Sequence, residues 1–272
     1  MHIKDHFLTK EEFEIKETEI PGIKKTWPVP SQLNRYYQSP KYISHSQDSG
    51  GLKERIYKFA QSFNLNYKRN IIATHSFKNA SVLDYGCGAG EFLKTIEDEF
   101  ITYGYEPSSI ARSATEKKLK KTTLLESIQD LPDNSLDVIT LWHVLEHIEN
   151  QEDILQQFHN KLKDNGLLII ALPNHTSYDA QFYKSFWAAY DVPRHLYHFS
   201  KLGAEVKFNS PQWKIKTIKP LLLDAIYISI LSEKYKKNPF AALTGGVIGT
   251  ISNIKALKSN EFSSLVYVIE KK

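Results

Sequence analysis

The stretch "SVLDYGCGAGEFL" (81–93) constrains this chain more than any other. A short apolar run ends at Asp84, glycines follow at Gly86, Gly88 and Gly90, and Phe92, Leu93, Ile96 and Phe100 then recur at helical spacing. A strand that passes through a glycine loop into a helix is the first half of a βαβ unit, which demands a parallel sheet with helices on its faces. The rhythm continues. "ITYGYE" (101–106) reads as a strand, "SSIARSATEKKLKK" (108–121) as a helix with capping serines and terminal lysines, and "TTLLES" as a weak strand. "SLDVITLWHVL" (135–145) begins as a strand and "EDILQQFHNKL" (152–162) is helical. "KDNG" is a stop, and "LLIIALPN" (167–174) is a strongly apolar strand. The expected class is α/β with a doubly wound, mostly parallel sheet.

The glycines do not hold a dinucleotide by the usual pattern. G-x-G-x-x-G needs its third glycine where Glu91 stands, and no G-K-[ST] follows to make a phosphate loop. The pattern is D-x-G-x-G-x-G. Asp84, two residues before Gly86, repels a pyrophosphate and suits an amine or another positive centre. The loop therefore points to a cationic ligand without phosphate.

"VLDYGCGAGEFL", "YGYEPS", "SLDVITLWHVLEHI" and "KDNGLLIIALPN" resemble, in order and spacing, the successive motifs of the class I S-adenosylmethionine-dependent methyltransferases, over roughly residues 80–174. The resemblance implies a Rossmann-like sheet of seven strands whose last strand enters antiparallel, with 212–220 and 263–272 supplying the last two. S-adenosyl-L-methionine is the implied cofactor. By that resemblance Gly86, Gly88 and Gly90, with Cys87 among them, pass beneath its methionine part and ribose. Asp84 organises the loop or bonds the amine. Glu106, 22 residues after Asp84 and followed by Pro107, accepts both ribose hydroxyls. Where many relatives place an acid for the adenine amine, this chain has Ser127 and Ile128. Trp142 and His143 follow the fourth strand of the family sheet, beside the methionine portion. Tyr37, Tyr42 and His45, in "YYQSPKYISHS" (36–46), are either a lid reaching the cofactor carboxylate or an amphipathic face packing on the sheet.

The segment "FWAAYDVPRHLYHFS" (186–200) follows the fifth strand, where acceptors bind in open α/β sheets. It resembles a segment of a bacterial methyltransferase subgroup of types 12 and 23, often found among cell-surface polysaccharide genes, which suggests a glycan or lipid-linked acceptor. His195 is the expected general base, with Asp191 on its other nitrogen, Arg194 holding the acceptor, Trp187 excluding water and His143 nearby. The Asp191–Arg194 pair also reads as a loop clamp, and His198 as a backbone-bonding residue. His143, Glu146 and His147 invite a metal reading, because ubiquinone-pathway O-methyltransferases carry an acidic/His site in a similar segment. The alternative, Glu146–His147 closing the strand–helix junction, is adopted, so no metal is expected.

Composition narrows the rest. With 272 residues and 41% hydrophobic content the chain builds one substantial core, here 80–272 with a 1–79 extension or lid. Residues 175–212 and 221–262 are read as acceptor-side insertions. One cysteine rules out an internal disulfide, and the most apolar stretch, "PLLLDAIYISIL" (220–231), is short and carries Asp224. A cytoplasmic protein without a transmembrane segment is expected. Lysines outnumber acids 12 to 5 from Ser200 onward, a net +7 against −3 for the remainder. They are scattered without interleaved aromatics, so no nucleic acid is expected, while peripheral membrane contact stays open. Oligomeric state is not legible. The expected reaction is methyl transfer to an oxygen of a small-molecule, glycan or lipid-linked acceptor. The competing readings are a non-catalytic S-adenosylmethionine-binding module and a nicotinamide-dependent dehydrogenase, the latter opposed by Glu91.

Overall fold

The computed structural model describes residues 1–37 and 52–272. Seven strands make the main sheet: β4 (Ser81–Tyr85), β5 (Ile101–Tyr105), β6 (Thr123–Leu125), β7 (Leu136–Trp142), β8 (Leu162–Pro173), β10 (Trp213–Pro220) and β11 (Ser264–Lys271). Their order is β10–β11–β8–β7–β4–β5–β6. All neighbours are parallel except at β11, which is antiparallel to both β8 and β10. The chain runs outward from β4 to β6 on one side and returns to β7 on the other. The carboxyl ends of β4 and β7 therefore flank a topological switch point, where open α/β sheets bind ligands.

The central strands are apolar on both faces because both are covered. Leu83, Ile139, Leu141, Leu168 and Ile170 pack with Leu155 and Phe158 of α4 (Gln151–Lys161). The alternate residues Val82, Val138, Ile169 and Ala171 pack with Phe92, Leu93 and Ile96 of α2 (Glu91–Ile96) and with Ile71 and Ile72 of α1 (Leu52–His75). Helix α3 (Ser109–Lys118) starts where the serines imply, its first turn capped by Ser108 Oγ accepting from Ala111 N. The expected "KDNG" stop is absorbed into β8: pairing slips between Leu136–Leu162 and Val138–Leu167, and Asn165 takes a positive φ of 60° to carry the slip.

A second, four-stranded antiparallel sheet was not anticipated. β1 (His2–Lys4), β2 (Glu12–Glu17) and β3 (Ile23–Trp27) are joined by β9 (Tyr197–Phe199), with Lys24 opposite His198. The N-terminal extension and the segment after β8 thus form one cap. Its core unites Ile3, Phe13, Ile15 and Tyr36 with Tyr183, Trp187, Tyr190 and Val192. Within it lies α5 (Tyr178–Tyr183), while α6 (Lys201–Phe208), just beyond β9, packs its Ala204 and Phe208 into the main-sheet core.

Residues 221–262 fold as a helical hairpin, α7 (Leu222–Tyr235) and α8 (Ala241–Ser259). The two helices approach backbone to backbone: a Cβ on Gly245 would stand 2.5 Å from Ile230 Cα. Buried Asp179 ties this hairpin to the cap by accepting from Trp187 Nε1 (2.7 Å) and the hydroxyls of Ser252 (2.7 Å) and Ser263 (2.6 Å). Among the described residues, no helix is long and apolar enough to cross a membrane.

Candidate functional site

The glycine loop leaves β4 at the switch point and is pinned to the next strand. Gly86 N and Cys87 N both donate to Tyr105 O, at 2.8 and 3.0 Å. Glu106, at the end of β5, accepts from Gly88 N at 2.8 Å and from Ser108 N at 2.9 Å. One carboxylate therefore orders both the loop and the start of α3, and each oxygen keeps a second lone pair. Pro107, exposed, follows it. Gly86 and Gly88 both need positive φ, 79° and 56°, but for different neighbours. A Cβ on Gly86 would strike the Val144 side chain at 2.7 Å, whereas one on Gly88 would meet nothing within 4 Å. The space over Gly88 is open, as a close backbone–ligand approach requires.

Asp84 is buried and accepts from Thr140 Oγ1 at 2.7 Å. Burial pushes its carboxyl up to about 6, against the lowering influence of the Thr140 hydroxyl and the Lys68 ammonium. Lys68 comes from α1 and sits 4.7 Å over the Trp142 ring. Burial draws its pKa down, and Asp224 and Asp84 oppose that. Trp142, stacked edge-on against Phe92, has a buried Nε1 with no hydrogen-bond partner among the described residues. The orphaned indole N–H and the Lys68 ammonium beside it thus offer donors to a ligand carboxylate, and Asp84 offers an acceptor to an amine. The amino-acid end of S-adenosylmethionine has that chemistry, so the residues fit the cofactor.

His143 Nε2 lies 2.9 Å from Asp224 Oδ2, and its Nδ1 stands 3.5 Å from Glu146 Oε1. Burial alone would depress the imidazole, but Asp224 and Glu146 outweigh it and raise it to about 9. His143 is therefore an imidazolium at neutral pH and cannot take up a proton there. Asp224, from the first turn of α7, is a site residue that sequence reasoning missed; its only signal was a lone acid in an apolar run. Lys68 gave no signal.

Several expected roles are corrected. Arg194 is 1% exposed and fully engaged: Nε and Nη2 donate to Asp191 at 2.9 and 2.6 Å, Nη2 to Asp5 at 3.0 Å, and Nη1 to Tyr36 O at 3.2 Å. It clamps the cap and does not face an acceptor. Asp191 is accordingly the partner of Arg194 and not of His195. His195 gives its Nδ1 to Ala189 O at 2.9 Å, and burial, helped by His147, draws it down to about 4. It is too weakly basic to serve as a general base near neutral pH. Trp187 is buried in the cap and hydrogen-bonded to Asp179. His198 pairs with Thr26 Oγ1 at 2.9 Å inside the second sheet.

On the cofactor side, Cys87 is a buried packing residue, its thiol pushed far up by burial. Ser127 caps a 3-10 turn by accepting from Gln129 N, and the Ile128 side chain enters the core instead of an adenine slot. Tyr37 reaches the neighbourhood but lies on His147, its hydroxyl 3.1 Å from Nδ1. Tyr42 and His45 lie outside the described residues. Gly90 packs against Thr115 at the start of α2, where a Cβ would come within 2.8 Å.

The seven-stranded order with its antiparallel β11, the glycine loop at the switch point and the acid ending β5 define a class I S-adenosylmethionine-binding fold. The chain belongs to the methyltransferase-domain family of type 23, whose model matches residues 56–205. It is 30% identical over 145 residues to an uncharacterised protein of Methanocaldococcus jannaschii (49% of this chain, 56% of the relative). A probable S-adenosylmethionine-dependent methyltransferase of Mycobacterium tuberculosis is 25% identical over 155 residues (55% and 49%). A ubiquinone biosynthesis O-methyltransferase of Rickettsia bellii is 28% identical over 151 residues (49% and 60%). The chain thus spans about half the length of the curated relatives it matches. Among solved structures, phosphoethanolamine N-methyltransferase 2 of Haemonchus contortus shares the fold at a TM-score of 0.51 and 14% identity, covering 92% of this chain and 62% of that one. The Mycobacterium tuberculosis cyclopropane synthase MmaA2 does so at 0.51 and 13%, covering 89% and 95%.

Proposed function

We propose that this chain catalyses S-adenosylmethionine-dependent methyl transfer to an oxygen of a small-molecule, glycan or lipid-linked acceptor. The observation that carries the reading is the linked set Asp84, Gly88 and Glu106: an open glycine backbone between two carboxylates, one ordering the loop and one buried beside a resident ammonium. The cofactor supplies an electrophilic methyl group on a sulfonium. Glu106 presents oxygens for ribose hydroxyls, and Asp84 with Trp142 receives the amino-acid end. Phe92 and Trp142 exclude water from that side. His143, held protonated by Asp224, donates a hydrogen bond and stores no proton from the acceptor. What the residues contribute is positioning and a dry, charge-matched site.

Oxygen is favoured by the likeness to the O-methyltransferase of Rickettsia bellii. The lipid-linked member of the acceptor set is favoured by α8, whose Leu243, Val247, Ile254 and Leu257 are each more than half exposed beside Lys255 and Lys258. Apolar side chains edged by lysines suit an interfacial, anionic acceptor. A cytoplasmic setting accords with the single thiol, Cys87, carried as a buried packing group.

Calorimetry with S-adenosylmethionine, its demethylated product and NAD tests the cofactor, with affinity expected in the micromolar range, about −8 kcal/mol. Binding of NAD alone refutes the reading. Demethylated product released from a panel of hydroxyl and amine acceptors then tests the acceptor atom; turnover with amines only refutes the oxygen assignment.

A further inference from the structure

We infer that Glu146, His147 and His195 form a divalent-metal site of one carboxylate and two imidazoles, at the junction of the main sheet and the cap. One ligand atom from each of the three lies within 4.8 Å of the other two. Glu146 and His147 sit on a 3-10 turn just after β7. His195 arrives from the cap, held there by Leu196 N donating to Glu146 O at 2.8 Å. The set is not the consecutive one considered from sequence, because His143 Nε2 is already taken by Asp224.

The protonation pattern is that of ligands. His147 Nδ1 lies 3.0 Å from Arg194 O, and His195 Nδ1 lies 2.9 Å from Ala189 O. A carbonyl oxygen only accepts, so Nδ1 is the donor on both rings, the Tyr37 hydroxyl also standing 3.1 Å from that of His147, and Nε2 is the nitrogen left to ligate. Ligating histidines are usually anchored in this way, with the second nitrogen donating to a backbone carbonyl. The two rings meet edge to face with centroids 4.5 Å apart. Glu146 is completely buried, and neither oxygen has a hydrogen-bond partner among the described residues. The His143 contact at 3.5 Å is too long to satisfy it.

One carboxylate and two imidazoles therefore converge at one junction, each ring's Nδ1 turned to a backbone carbonyl. Glu146 has the His143 imidazolium as an ionic neighbour at 3.5 Å but no hydrogen bond to either oxygen, and a single cation between the three groups satisfies the lone pairs left over. The donor set of two nitrogens and one oxygen selects a borderline transition ion, Zn²⁺, Co²⁺ or Fe²⁺, over Mg²⁺, Ca²⁺ or Mn²⁺, which prefer oxygen ligands. Three protein ligands leave coordination positions open, and His147, half-exposed, marks the side from which they are reached. Glu146 and His147 thereby gain a role beyond closing the strand–helix junction.

The test uses the full chain without an affinity tag, stripped with chelator, dialysed, and titrated with Co²⁺ and then Zn²⁺ in the absence of cofactor. It is therefore independent of methyl transfer. One equivalent of Co²⁺ with intense visible bands, displaced by one equivalent of Zn²⁺, is expected. Glu146→Gln and His195→Gln should each weaken binding ten- to a hundredfold, while His2→Gln on the surface should not change it. Circular dichroism identifies any variant that fails to fold, and the wild-type titration then decides alone. Failure of the folded wild type to bind one equivalent at micromolar metal overturns the assignment. So does stoichiometric binding that survives both substitutions.

Discussion

Asp84→Asn should stabilise the cofactor-free protein while destroying its affinity for S-adenosylmethionine. The carboxyl is 2% exposed, and burial raises it from 3.8 to about 6. At 1.36 kcal/mol per pH unit, keeping it ionised at neutral pH costs the folded state about 3 kcal/mol. The sign follows from proton counting. Between about pH 4 and pH 6 the folded chain holds a proton that the unfolded chain has released, so stability falls with rising pH across that window and is level above it. Asparagine is uncharged at every pH, and its amide oxygen still accepts from Thr140 Oγ1, the present bond being 2.7 Å. The gain over wild type should therefore be absent near pH 4 and reach about 2–3 kcal/mol above pH 6. Urea unfolding of both proteins at pH 4.5 and pH 8, without cofactor, measures it directly. Calorimetry on the same samples should show the cofactor affinity lost. A variant less stable than wild type at pH 8, or equally stabilised at both pH values, would refute a net cost of ionising Asp84 in the folded state.

Arg194→Leu leaves Asp5 and Asp191 without their cation and should cost about 3–5 kcal/mol, read as a lower urea midpoint. An unchanged midpoint would show that the clamp is idle. Glu106→Ala should weaken S-adenosylmethionine by about 1.5–3 kcal/mol in calorimetry, since charge-assisted hydrogen bonds are lost; unchanged affinity would remove Glu106 from the cofactor site. Gly88→Ala, whose new methyl meets open space, should fold with a strain of about 1–2 kcal/mol at its φ of 56° yet block cofactor binding. Gly86→Ala instead collides with Val144 and should lower the melting temperature before binding is asked about. Equal stability of the two alanine variants would contradict the assignment of the free space to Gly88.

The main sheet was legible because its signals are local. Buried parallel strands are continuous apolar runs, helices repeat at 3.6 residues, and the acid at Glu106 follows a strand at a set distance. The cap was not legible, for reasons equally physical. β9 is three residues long, too short for any period, and its partner β3 lies far upstream in the chain. Arg194 looked free to hold an acceptor because Asp5, the carboxylate that neutralises it, is 189 residues away. His195 looked basic because imidazole usually titrates near neutrality; only burial beside His147 draws it down. Asp224 entered the site from 221–262, read as an acceptor-side insertion, where it was only a lone acid in an apolar run.

The second sheet also sets an order of events during synthesis. Thr26 and His198, which bond across it, are separated by 172 residues. At ribosomal rates of about 5–20 residues per second, β3 waits roughly ten to thirty seconds for its fourth strand. Through that interval its edge is open, and an open apolar edge invites pairing with other chains. Lys24 and Lys25, in the middle of "IKKTW", place charge along that edge until β9 arrives opposite them. Replacing the two lysines with threonine would leave the finished sheet intact, yet should raise the fraction of newly made chains that aggregate.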